Sequence, residues 1–175
     1  MGLFDFFSRK DPTHDWPVRG TVPLRLDLAR RELNGITFDA SFDALRVLGK
    51  PSNPKPVRAR VFVYAPLGLT VPLGAQSRVL IFTCVFQAGV EGEADEFPGF
   101  APCRIALQNE RGMLLEVTST TSVSEVEDAL GPLAREDMTG DVFSTTIGSV
   151  WLCFTFDHAG LLALLDIERG GDGVD

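Results

Sequence analysis

Histidine is nearly absent. His14 and His158 are the only two in 175 residues, the first in a proline-rich stretch and the second in Asp157-His158-Ala159-Gly160, which has turn composition. A zinc centre needs three or four ligands, and Cys153 with His158 supplies two. As a nucleophile and base the same pair is weak, because Cys153 lies in an apolar run where a thiol is usually inert. There is no phosphate-cradling loop and no dinucleotide fingerprint. Neighbouring carboxylates do occur (Glu125, Glu127 and Asp128, and Glu136 with Asp137), but helix and loop solvation accounts for them. The final Gly-Gly-Asp-Gly-Val-Asp matches half of a calcium-binding β-roll repeat, and one copy cannot stack. The sequence therefore reads as non-enzymatic, without cofactor or metal.

Cysteine is scarce and odd in number. Cys84, Cys103 and Cys153 all fall in apolar strands, the pattern of reduced thiols in a cytoplasmic protein rather than a disulfide framework. Basic charge is also short. The net charge of −8 argues against nucleic acid, whose phosphates need a basic face, and equally against an anionic membrane surface. It suits a basic protein partner, or solubility alone. No apolar run approaches the ~20 residues of a membrane span. Residues 1–10 lack the order of charges of a secretory signal and the hydroxyl residue of a myristoylation site. Their Leu3, Phe4, Phe6 and Phe7 read as a short segment docked on the body.

What the chain has is a capped helix and its echo. In Ser122 to Pro132, Ser122 serves as N-cap with Glu125 at N3, a capping box. Val123, Val126, Ala129 and Leu130 share one face, and Gly131-Pro132 ends the helix. The earlier copy, Ala40 to Pro51, places Phe42, Leu45, Val47 and Leu48 on its apolar face and stops at Gly49 and Pro51. Both helices are too short to stand alone and must pack on a sheet. Before each stands an alternating strand, Pro23 to Leu28 or Pro102 to Leu107, a turn, and a second short strand. After each come Arg60 to Tyr64 and Leu69 to Leu73, or Val142 to Thr145 and Val150 to Phe156. Each copy closes on one more strand, Val79 to Phe86 or Leu161 to Glu168. The offset stays near about 80 residues, as a duplicated unit requires.

The expected organisation is a lead-in at 1–20, repeat one at 21–88, an acidic linker at 89–100, repeat two at 101–168 and a disordered tail at 169–175. Two strands, Val79 to Phe86 and Val150 to Phe156, are apolar on both faces and predict cover on both sides. The linker concentrates charge and aromatics. Glu91, Glu93, Asp95 and Glu96 are followed by Phe97 and Phe100, an acidic loop with aromatic tips suited to a basic partner. These six residues are the candidate partner-binding site, with the acidic helix face Glu125, Glu127 and Asp128 beside it.

The unit of helix, Leu-Gly-(x)-Pro and antiparallel strands resembles the repeat of the BamE/SmpA lipoprotein family. It is similar also to the β-lactamase-inhibitor-protein family, which carries two such units in tandem. The matching residues are Ala44, Leu48, Gly49 and Pro51, and Ser122, Val126, Leu130, Gly131 and Pro132. The chain departs from both in lacking a lipobox cysteine and disulfide pairs, and in adding a hairpin before each helix. With its Leu33-Asn34-Gly35 hairpin, its Leu48-Gly49-Lys50-Pro51 stop and its hairpin through Tyr64, Leu67, Gly68 and Leu69, the chain further resembles small cytoplasmic bacterial proteins, some of which are immunity proteins, and that resemblance implies a non-catalytic protein that binds and blocks a partner. The fold expected is α+β, with two tandem ββαβββ-like repeats, each an antiparallel sheet with a short helix. The function expected is non-catalytic protein binding, with self-association through apolar sheet faces, as a homodimer, the alternative.

Overall fold

The structure, a computed structural model, describes residues 11–53, 55–89, 96–136 and 141–170. It is α+β, with two sheets and few helices. The chain runs through β1 (Leu24–Asp27), β2 (Glu32–Leu33), β3 (Ile36–Thr37), a 3-10 helix (Phe42–Leu48), α1 (Pro56–Ala59), β4 (Val61–Tyr64), β5 (Leu69–Pro72) and β6 (Ile81–Val85). It continues through β7 (Ile105–Asn109), β8 (Gly112–Val117), α2 (Val123–Leu130), β9 (Ala134–Arg135), β10 (Val142–Ile147), β11 (Val150–Phe156) and β12 (Leu162–Arg169).

Among the described residues one sheet has five strands in the order β3-β2-β1-β7-β8, and the other seven in the order β4-β5-β6-β12-β11-β10-β9. This corrects the expectation of one antiparallel sheet per half. Both sheets draw strands from both halves, and β1 pairs with β7 in parallel, Leu24 opposite Ile105 and Leu26 opposite Leu107. The antiparallel junction is elsewhere, where β6 meets β12. The reason is burial. Each half has too few strands to cover an apolar face, so joining the strongest strands across the halves makes two wide sheets around one core.

That core lies between the sheets. From the five-stranded sheet come Leu24, Leu26, Leu33, Ile105, Leu107 and Val117, and from the seven-stranded sheet Phe62, Leu69, Phe82, Leu152, Phe154 and Leu165. Trp16 joins them, stacked on Phe62 at 5.6 Å and on Phe42 at 6.4 Å. The lead-in is thus part of the core and not merely a loop.

The helices follow their spacing. The echo helix is 3-10 and not α. Phe42, Leu45 and Leu48 recur every third residue, the period that stacks side chains on a 3-10 helix. Leu45 and Leu48 are buried, while Val47 is off the face and exposed. In α2 the capping box forms as the sequence requires. The Glu125 carboxylate accepts from Ser122 N at 2.8 Å, and the Ser122 hydroxyl accepts from Glu125 N at 3.4 Å. The bond from Ser122 N, with a second from the Ser122 hydroxyl to the same carboxylate at 2.8 Å, holds the Glu125 carboxyl below its ordinary value. The stretch from Lys50 to Val57 runs into α1, with Pro56 in the first turn, where its missing N–H costs nothing.

Of the two strands expected to be covered on both faces, β11 is fully buried on one, and β6 is fully buried on its outer face only at Val85. In β11, Val150, Leu152, Phe154 and Phe156 are buried, while Trp151, Cys153 and Thr155 on the outer face are half-buried. In β6, Ile81 and Thr83 are half-buried likewise. Trp, Cys and Thr tolerate partial exposure, and that masks the strand alternation when apolar residues are counted. The β12 strand reaches Arg169, one residue into the segment read as a tail. Residues 1–10 and 171–175 lie outside the described residues.

Candidate functional site

The six candidate partner-binding residues divide. Glu91, Glu93 and Asp95 lie outside the described residues, and Glu96 is exposed. Phe97 and Phe100 are half-buried and pack against Val63 and Val85 on the outer face of the seven-stranded sheet. They anchor this end of the linker instead of projecting as free tips. On α2, Glu125, Glu127 and Asp128 are all exposed.

The outer face of the seven-stranded sheet carries a row of polar groups across four strands. Pairing puts Thr83 opposite Asp166, Asp166 opposite Cys153, and Cys153 opposite Ser144. The Thr83 hydroxyl donates to the Asp166 carboxylate at 2.6 Å, and the Ser144 hydroxyl donates to Glu136. Burial raises the Asp166 carboxyl above its ordinary range, and burial with the neighbouring Asp166 charge raises Glu168. The Cys153 thiol is pushed up to about 11, first by burial and then by the surrounding carboxylates. A thiol so raised is protonated at neutral pH and is a poor nucleophile. His158 sits apart in the β11–β12 turn, fully exposed, with its ring 3.8 Å from Asp141. Among the described residues no group of three or more His, Cys, Asp or Glu is placed to hold a metal ion. No helix among them is long and apolar enough to cross a membrane.

The sheet edges differ sharply. At the β4 edge, Asn53 Nδ2 donates to Val61 O at 2.9 Å and Asn53 Oδ1 accepts from Val63 N at 3.0 Å. The adjacent Ser52 adds a bond from its own N to Val63 O at 2.6 Å and accepts from Ala65 N at 3.1 Å. One buried side chain and its neighbour therefore mimic a further strand and seal that edge. The β3 and β9 edges are two residues long each. The β8 edge is six residues long. Among the described residues, its outward backbone groups receive no bond from any other segment. Met113, near its start, is 65% exposed.

A groove of about 780 Å³ opens beside the end of β8, where the chain enters β1 and β7. Its apolar part is made by Pro66, Leu67, Pro102 and Met113, and hydroxyls are supplied by Thr21, Thr118, Ser119 and Thr120. Arg25 and Arg104 stand exposed at it. Register places Arg25, the small Ala106 and Glu116 in one line across β1, β7 and β8. Ala106 leaves the gap between the longer side chains. Beneath the groove, Gly68 takes φ +56° and lets Ala101 and Cys103 pass against β6, with Cys103 N donating to Val85 O at 2.9 Å. The sequence reading did not assemble this groove. Its one signal was the pair of matching strands with an arginine at a similar place, Pro-Leu-Arg and Pro-Cys-Arg.

No protein-family profile and no curated protein matches the chain. Among solved structures, a DUF4309 family protein (YjgB) from Bacillus subtilis superposes with a TM-score of 0.46 at 17% identity, covering 78% of this chain and 83% of that one.

Proposed function

We propose that the protein is a non-catalytic protein-binding module that takes up an extended segment of a partner along β8. The observation that carries this reading is the contrast of edges. The β4 edge is closed by Asn53 and Ser52, whereas β8 presents six residues of open backbone. An open edge pairs readily with an incoming strand, and main-chain bonds then supply affinity while side chains supply specificity. The acidic balance of the chain and the exposed Glu96, Glu125, Glu127 and Asp128 support a partner that is basic overall. A bacterial immunity or inhibitor protein acting in the cytoplasm has this character, and the free thiols of Cys84, Cys103 and Cys153 suit that compartment. The mirrored strand sequence β4-β5-β6 against β12-β11-β10 supports two tandem repeats as the origin of the fold.

The test is selection of short random displayed peptides on the immobilised full chain, followed by hydrogen exchange with the enriched peptides. Protection of the Gly112–Val117 amides supports strand addition. No enrichment, or protection confined to the outer face of the seven-stranded sheet, overturns it. Pairing of β8 with β8 of a second copy is the alternative, favoured by the exposed Met113 and half-buried Leu114 and Leu115. It requires that the protein sediment as a dimer and that Met113→Lys return it to a monomer.

A further inference from the structure

We infer that the groove beside β8 receives a carboxylate carried by the partner segment that flanks the added strand, held between Arg25 and Arg104. This rests on the strand-addition reading and deepens it by giving the partner a chemical requirement.

The argument begins with charge. In a chain of net charge −8, the described residues lining the groove include two arginines and one glutamate, so that lining is locally positive. Neither Arg25 nor Arg104 makes an ion pair among the described residues. Arg30 pairs with Asp27 and Glu32, Arg169 with Asp39, and Arg60 and Arg78 bond backbone carbonyls, whereas Arg19, Arg31, Arg46, Arg58 and Arg111 likewise make no ion pair among the described residues; what sets Arg25 and Arg104 apart is that they line one groove. Among the described residues Glu116 is the one carboxylate in the lining, and it lies two strands from Arg25 with Ala106 between, without a salt bridge to either arginine. Two guanidiniums lining one open groove offer a carboxylate charge-assisted, bidentate bonds.

Position supplies the second part. Thr118, Ser119 and Thr120 line the groove and directly follow Val117, the last residue of β8. A segment paired along β8 that continues past Val117 meets Thr118–Thr120, and it reaches Arg104 and Arg25 by turning from there across the ends of β8 and β7. There its carboxylate meets Arg25 and Arg104, and its apolar atoms meet Pro102 and Leu67. A partner that is basic overall and acidic at this one flank satisfies both the whole-chain charge and the local one.

The experiment uses the full isotope-labelled chain with synthetic hexaglutamate, hexalysine and inorganic phosphate as probes. The readouts are the Arg Nε–H signals, the Thr118–Thr120 amides, and hydrogen exchange of β8. Hexaglutamate is expected to shift Arg25, Arg104 and Thr118–Thr120 together. In the Arg25→Gln/Arg104→Gln variant its affinity is expected to fall about tenfold, as the loss of two exposed charge-assisted bonds implies. Both side chains are exposed, so an unchanged far-ultraviolet spectrum serves as the folding control. Equal hexaglutamate affinity in the variant, stronger hexalysine binding at the groove, or equal shifts with phosphate alone would overturn the inference. Phosphate alone would mark the site as one for small anions. Groove binding without β8 protection by any selected peptide leaves the carboxylate site standing and removes strand addition. Protection of β8 by peptides indifferent to the arginine variant does the reverse.

Discussion

Replacing Gly68 by alanine separates backbone conformation from packing at the point where the two halves meet. Gly68 has φ +56°, and a Cβ built there falls 2.6 Å from Ala101 O, 2.6 Å from Cys103 N and 2.7 Å from Val85 O. All three are backbone atoms, so no flexible side chain can swing aside. The left-handed conformation alone costs an alanine about 1–2 kcal/mol. Relieving the clash must also lengthen the bonds Cys103 N to Val85 O, at 2.9 Å, and Val85 N to Gly68 O, at 2.7 Å. Leaving buried partners of this kind unmet costs about 1–3 kcal/mol each. Allowing for partial relaxation, Gly68→Ala is expected to destabilise by roughly 3–5 kcal/mol, or roughly 6–20 °C in Tm for a chain of this size. The control is Gly148→Ala, because Gly148 has φ +62° and nothing within 4 Å of the added carbon. It should lose only the conformational part, about 1–2 kcal/mol. Urea unfolding of the two variants at one pH gives the comparison. Losses that agree within about 1 kcal/mol would refute the claim that close backbone approach at Gly68 locks the two halves, because the conformational term is common to both.

Two further predictions test the sealed edge and the buried carboxylate. Asn53→Ala leaves Val63 N and Val61 O without their side-chain partner, so a loss of about 1–3 kcal/mol in urea unfolding is expected, with faster hydrogen exchange at Val63; unchanged exchange there would contradict the sealing role. The raised Asp166 carboxyl makes its stabilising contribution below its ordinary value of 3.8 and loses it as the pH rises through the higher folded value. Asp166→Asn should therefore raise Tm at pH 7 and leave it unchanged near about pH 3, and an equal effect at both pH values would rule out titration as the cause.

Much of the local structure is written in the sequence itself. Ser122, Glu125 and Gly131 specify where α2 starts and stops because capping involves residues a few positions apart. Asn34-Gly35 specifies the β2–β3 turn for the same reason, with φ of 50° and 81°. The three-residue spacing of Phe42, Leu45 and Leu48 contained the 3-10 helix, although it reads equally as a short α-helix when only apolar positions are counted.

Which strands pair across the halves was not legible. The alternation of Leu24, Leu26 and of Ile105, Leu107 says that each strand has one buried face, and nothing in it names the neighbour or its direction. Only the joint burial of both halves in one core selects the parallel β1–β7 pair and the β6–β12 junction. The candidate site followed from that choice. The acidic loop was visible as composition, whereas the groove needs Arg25 and Arg104, about 80 residues apart, on adjacent strands. The open β8 edge likewise exists only because β8 ends a sheet, a property of the assembled order and of no single segment.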